Sequence, residues 1–328
     1  MSEINEYQVK MALKVAKDLS AGPNLQLYDA DIRRVDLLER SQVGTNQRAL
    51  ESLYISYLTK TGFEVDRFEK ICEQHQTELC RIVEEQKADA IKHSSYTIEA
   101  FRRGADSRRD AVLELAVPPT YEILRSPFLI WPSQGLDISE EHVEPSKSRV
   151  KFRIFSDGAS GREAVGFYFL WQNPSHRRAV INVDSYLAVN GFCTAASGPG
   201  IVYDFDRTSS IGVSANLTLW QWWDQPPSLP MFQAGQLNSV GGIVARPTFI
   251  GPDLGSVQSM TLSSAHDLRY EKCLIEADGI VVFVVTLVIS YQAGHGGLGS
   301  LGNGYVDIDF ASGDFQVMCP DVLVTVLT

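Results

Sequence analysis

The stretch AVLELAVPPTYEIL, residues 111–124, divides the chain. Upstream of it the apolar residues recur every three or four positions, the spacing of a helix face; downstream they alternate with polar ones, the spacing of a half-buried strand. The prolines at 118 and 119 suit that boundary, because proline lacks the amide a helix needs and also biases its predecessor away from helical geometry. Helices first and sheets after predict an α+β chain. Residues 1–117 read as a long-helix region, a hairpin or bundle used for packing and assembly, and residues 120–328 as an all-β antiparallel sandwich of jelly-roll type.

Working upstream, a stripe runs from Leu50 to Leu115 through Tyr57, Phe68, Cys72, Leu79, Ile82, Gln86, Ala90, His93, Thr97, Phe101 and Ala105 in steps of three or four. The mean step is close to the 3.6 of a straight helix, so packed helices fit better than a regular coiled coil. Gly62 and Gly104 are the points where such a helix would break or turn back. Between Gln86 and Thr97 the stripe is thin in apolar residues. An amphipathic helix this long cannot hide its face alone. Phe68, Cys72, Leu79, Ile82 and Phe101 are accordingly predicted to form an assembly stripe that meets other copies of the chain. Shorter helices are expected over Ile4 to Leu19 and Asp31 to Arg40.

Downstream, Ile181, Val183, Leu187 and Val189 alternate with Asn182, Asp184, Tyr186 and Asn190, and Ile211 to Leu219 repeat the pattern. Further strands are expected at Gly166 to Gln172, Val257 to Ser263, Leu268 to Glu276, Ile280 to Tyr291, Tyr305 to Phe310 and Val322 to Leu327. The apolar run Ile280 to Ile289 is far shorter than the ~20 residues of a membrane helix and reads as a buried strand.

The 328 residues carry a formal net charge of -11, and no Lys or Arg follows Cys273. A general nucleic-acid binder draws on a basic surface, so that class is excluded. Arg102, Arg103, Arg108 and Arg109 form the one dense basic patch and read as a solvated helix face or a salt-bridge zone. The N-terminal ten residues have acidic groups and no apolar core, which predicts synthesis and residence in the cytosol, with release that needs no signal left open. Five scattered cysteines read as reduced thiols.

No cluster has the spacing that a known chemistry demands. Gly294 to Gly299 matches G-x-G-x-x-G, but another strand follows where a helix is needed to meet a pyrophosphate, so a hairpin loop holding His295 is expected, one that can serve as a contact surface. Asp307 and Asp309 share a strand face, as do Asp204 and Asp206, without the rest of a calcium loop. Cys72 and His75 make half a zinc site. Trp220, Trp222 and Trp223 divide between the two faces of a strand, one face for the core and one for an interface or a stacking ligand. No cofactor and no metal is expected. The sequence predicts a non-enzymatic, homo-oligomeric structural or binding protein, a helical stalk with a β head, on the plan of virus-like or phage-like particles whose other components would be its partners. The alternatives are a membrane-active protein that uses the helices, and an enzyme with a site in the sandwich loops around His176, His266 or His295.

Overall fold

The computed structural model describes residues 14, 56–57, 59–115, 121–133, 136, 143–144, 148–201, 207–222, 231–233, 237–247, 252–295 and 301–327. Among these residues two antiparallel sheets face each other, and one long helix lies across the outer face of one of them. The helix, α1 (Val65–Leu115), ends just before the proline pair, and the first strand starts just after it.

Sheet I is organised around β7 (Ala179–Ala196). One side of β7 pairs with β11 (Val257–Ile275) from end to end, apart from a bulge at residues 271–272. The other side pairs in turn with β13 (Tyr305–Asp309), β14 (Gln316–Met318) and β15 (Val322–Leu327). The C-terminal segment is thus one long strand interrupted twice. A second interrupted strand flanks it: β5 (Arg153–Asp157) pairs with β13, β4 (Arg149–Val150) with β14 and β1 (Tyr121–Leu124) with β15, while β3 (Val143–Glu144) pairs antiparallel with the other side of β4.

Sheet II is centred on β12 (Ile280–Gln292), which pairs over its full length with β6 (Ser160–Gln172) on one side and β8 (Ser209–Trp222) on the other. β2 (Leu129–Pro132) borders β6, whereas β9 (Met231–Gln233) and β10 (Leu237–Ala245) share the far edge of β8. Central placement explains the apolar run of β12, because Ile280 to Val285 are all buried and both faces need apolar side chains. Between the sheets lies the main core, with Phe167, Phe169, Trp171, Leu217 and Phe283 from sheet II against Ile181, Leu187, Ile308 and Phe310 from sheet I.

The helix packs through two smaller clusters. Near its middle Val83 meets Phe192, Phe315 and Val257; further on Ile98 and Phe101 meet Ala188, Met318, Tyr186 and Ala265. Each large side chain buried there contributes about 1.5–3 kcal/mol. Two ionic clasps add direction. The Lys87 ammonium lies 2.6 Å from Asp309 and 3.7 Å from Asp307. Arg108 donates to Asp321 at 2.7 Å, with Arg109 at 3.4 Å. Asp309 ends β13 and Asp321 precedes β15, so the clasps grip the two interruptions of the C-terminal strand.

This arrangement corrects the sequence expectation in three respects. There is no helical hairpin or bundle among the described residues: Gly62 does break the chain in a left-handed turn, but the helix passes straight through Gly104, where the Tyr186 hydroxyl would stand 3.2 Å from an added Cβ. Nor does the helix project as a stalk, since its own sheet covers it. The sandwich, with nine and six strands in its sheets among the described residues, is also not an eight-stranded jelly roll. The physical reason lies in the buried face. It runs through Val83, Lys87, Ser94, Ile98 and Ala105, about 100° round the helix from the apolar stripe between Ile82 and Thr97, because two of the inward residues are polar. The expected helices over Ile4 to Leu19 and Asp31 to Arg40 lie outside the described residues, apart from Lys14.

Candidate functional site

Beneath α1 the contact with sheet I changes character twice along its length. On the helix, apolar Val83 gives way to Gln86, Asp89, His93 and Thr97 before Phe101 restores contact. On the outward face of β11, Val257 is followed by Ser259, Thr261 and Ser263, and then by Ala265. On β7, Asn190 stands between Phe192 and Ala188. The three polar bands coincide in space, and they line a cleft of about 540 Å³ between the two apolar clusters, with Ala90 and Phe192 as its apolar portions.

The cleft is built from side chains already held in place. Asn190 is only 2% exposed, and its Nδ2 donates to the Ser94 carbonyl at 3.3 Å. Ser94, itself buried, turns its hydroxyl back onto Ile91 O at 2.6 Å. Ser259 donates its hydroxyl to Gln86 Oε1, joining the two walls. The His93 ring places Nδ1 2.7 Å from Asp89 O; a carbonyl only accepts, so Nδ1 carries a proton and Nε2 is the ring nitrogen left to a ligand. Thr97 donates to His93 O. Asp89 keeps its carboxyl below the usual range through the hydrogen bond and charge of Lys92, 2.7 Å away. Thr261 and Ser263 present exposed hydroxyl-bearing side chains.

The residues singled out in the sequence fall in several places. Trp220 is packed with Tyr168, Val282 and Val284 on the outer face of sheet II, its ring centroid 5.7 Å from that of Tyr168. Trp222 closes β8, but its side chain and all of Trp223 lie outside the described residues, as do Asp204 and Asp206. His295 is exposed beside Gly158 and Asn303 at one end of the sandwich. Of the assembly stripe, Cys72 is buried in its own chain, Phe101 packs on sheet I, Phe68 and Leu79 are half-buried, and Ile82 is exposed. Asp307 and Asp309 converge on Lys87, and Asp307 also takes a bidentate pair from Arg153, both at 2.7 Å. No group of three metal-ligating side chains gathers among the described residues.

The histidines named for a catalytic site are likewise placed. His176 Nδ1 lies 3.0 Å from an Asp278 carboxylate oxygen at the surface. His266 Nε2 lies 2.8 Å from Ser264 Oγ on β11, and burial lowers its pKa against the opposing pull of Asp267. Neither pair lines the cleft. The cleft itself had one sequence signal, the apolar thinning of the helical stripe between Gln86 and Thr97.

No protein-family model and no curated protein matches the chain. Among solved structures, TmCBM61 in complex with beta-1,4-galactotriose is 11% identical, with 60% of this chain and 90% of that one covered and a TM-score of 0.19. TmCBM27, a carbohydrate-binding module that recognises mannan, is 9% identical over 63% and 96%, at 0.23. A CocE/NonD family hydrolase from Staphylococcus aureus is 12% identical over 63% of this chain and 38% of its own, also at 0.23. Likeness at this level carries no argument about ligand or activity. No helix among the described residues is long and apolar enough to cross a membrane.

Proposed function

We propose that this chain is a non-catalytic binding protein whose ligand sits in the polar cleft between α1 and sheet I. The observation that carries the reading is the coincidence of polar bands on three separate elements, each bracketed by apolar residues that do make contact. A helix packed on a sheet gains most by continuous apolar contact, so a shared polar interval about three turns long sacrifices packing at one place. The cleft falls within the range of about 300–1,000 Å³ usual for small-ligand sites. Rigid walls support the reading too: Asn190, Ser94, Gln86 and Ser259 are fixed by hydrogen bonds, so little ordering cost remains for a ligand. Five free thiols, four of them buried, favour a reducing compartment.

Thermal shift across a library of sugars, peptides, nucleotides and acidic metabolites tests this. At least one class should raise the melting temperature of the native chain and leave Thr261→Phe, which fills the cleft, unmoved. A library in which every shift is the same for both proteins removes the cleft from consideration.

Self-association is the second part of the proposal. Ile71, Ile82 and Tyr96 are exposed on the outward side of α1, spaced by 11 and 14 residues and therefore nearly in line. Light scattering should report more than one copy per particle, and Ile82→Asp should lower that mass; a monomer at every concentration contradicts it.

A further inference from the structure

We infer that the occupant of the cleft is a neutral polyhydroxylated molecule, a mono- or disaccharide unit, an inference that rests on the binding reading above. The lining contains no Lys or Arg, so nothing within it is suited to neutralise a phosphate or carboxylate. Its apolar contributions are confined to Ala90 and Phe192, too few for an oily ligand, whose pocket would be lined mainly by apolar and aromatic side chains. What remains is the exposed Asp89 carboxylate, whose charge Lys92 already meets at 2.7 Å, the His93 ring, and a set of amides and hydroxyls led by Gln86, Asn190, Thr261 and Ser263. Hydroxyls both donate and accept, and amides offer one of each kind of group. Sugar hydroxyls have the same dual character, so the two sets satisfy each other without leaving a charge buried.

Asn190 gives the cleft a built floor. It is 98% buried by virtue of its 2% exposure, it lines the cleft, and its one hydrogen bond uses Nδ2. With Nδ2 so used, the amide oxygen is the group left to accept from a ligand hydroxyl. An extended peptide is a poorer fit. Peptide recognition by a sheet uses the main chain of a strand edge, whereas the floor here is a sheet face, and residues 259–263 of β11 are already registered with residues 190–194 of β7.

Calorimetric titration of the full chain with neutral mono- and disaccharides tests the inference, alongside sugar phosphates and a polar peptide library, with Thr261→Phe and Ser263→Tyr as controls. The expected result is saturable binding of a neutral sugar that falls at least tenfold in each variant, with unchanged melting temperatures. Both positions are exposed, so neither substitution disturbs the core. Binding of a sugar phosphate or peptide, but no neutral sugar, that is abolished by Thr261→Phe overturns the ligand class and leaves the cleft as a binding site. Absence of any variant-sensitive binding overturns both, as does sugar binding that neither variant weakens.

Discussion

Lys87 and Asp309 show at the scale of single residues why α1 lies where it does. Both are buried, and a buried charge left without its partner costs about 3–5 kcal/mol. Lys87→Met keeps the volume but leaves the Asp309 carboxylate with only Ser312 and the 311–312 amides. It should lower the unfolding free energy in urea by about 3 kcal/mol; a change under 1 kcal/mol would mean that the clasp is open in solution. Thiol chemistry offers a second residue-scale check. Burial pushes the thiol of Cys72 up to about 11 and those of Cys273 and Cys319 to about 12, and Cys193 rises further for the same reason. Only Cys80 is exposed. Iodoacetamide at neutral pH should therefore modify Cys80 in the folded protein, and modification of Cys72 at a similar rate would show that α1 lifts from the sheet.

Among the elements, the first interruption of the C-terminal strand, at Asp309, contributes to the response to acid. Burial alone would raise the pKa of Asp309, but hydrogen bonds from Lys87, Ser312 and the Ala311 and Ser312 amides outweigh it, so the folded value lies below the usual carboxylate range. A depressed folded pKa stabilises the fold fully above the unfolded value of about 3.9 and is lost as pH falls through the folded one. Melting temperature should hold from neutrality to about pH 5 and drop below about pH 4, and Asp309→Asn should flatten that drop. An unchanged acid limb in Asp309→Asn assigns it to other carboxylates. Much of this level was legible in the sequence. β12 appears as the apolar run Ile280 to Tyr291, and β13 and β15 nearly residue for residue. β11 read as two strands because Ala265 is the one apolar residue from Ser263 to Asp267, yet pairing with β7 continues through that stretch. The helix face was misplaced because Lys87 and Ser94, polar by type, turn inward: Asp309 pairs with Lys87, while Ser94 returns its hydroxyl to Ile91 O and its carbonyl accepts from Asn190.

For the whole molecule, helix and sandwich form a continuous packing system, and the candidate cleft exists only because they do. Its walls come from residues 86–97, 190–192 and 259–263, segments far apart in sequence, so no local pattern could announce it. What the sequence did carry was one wall: the thinning of the stripe, whose meaning depends on the hydroxyl face of β11 opposite. The contact that defines this geometry can be trapped covalently. A Cβ added at Gly313 would stand 3.8 Å from the Cβ of Ile91, the mean separation in disulfides being about 3.8 Å. The left-handed backbone at Gly313 makes a cysteine there cost about 1–2 kcal/mol, within reach of a folded domain. In a Cys80→Ser background, the double variant Ile91→Cys and Gly313→Cys is oxidised and its peptides are mapped by mass spectrometry without reduction. A brace laid on its own sheet predicts a 91–313 disulfide within one chain. Crosslinks found only between chains, or none under oxidation, would contradict the placement of α1 and with it the cleft.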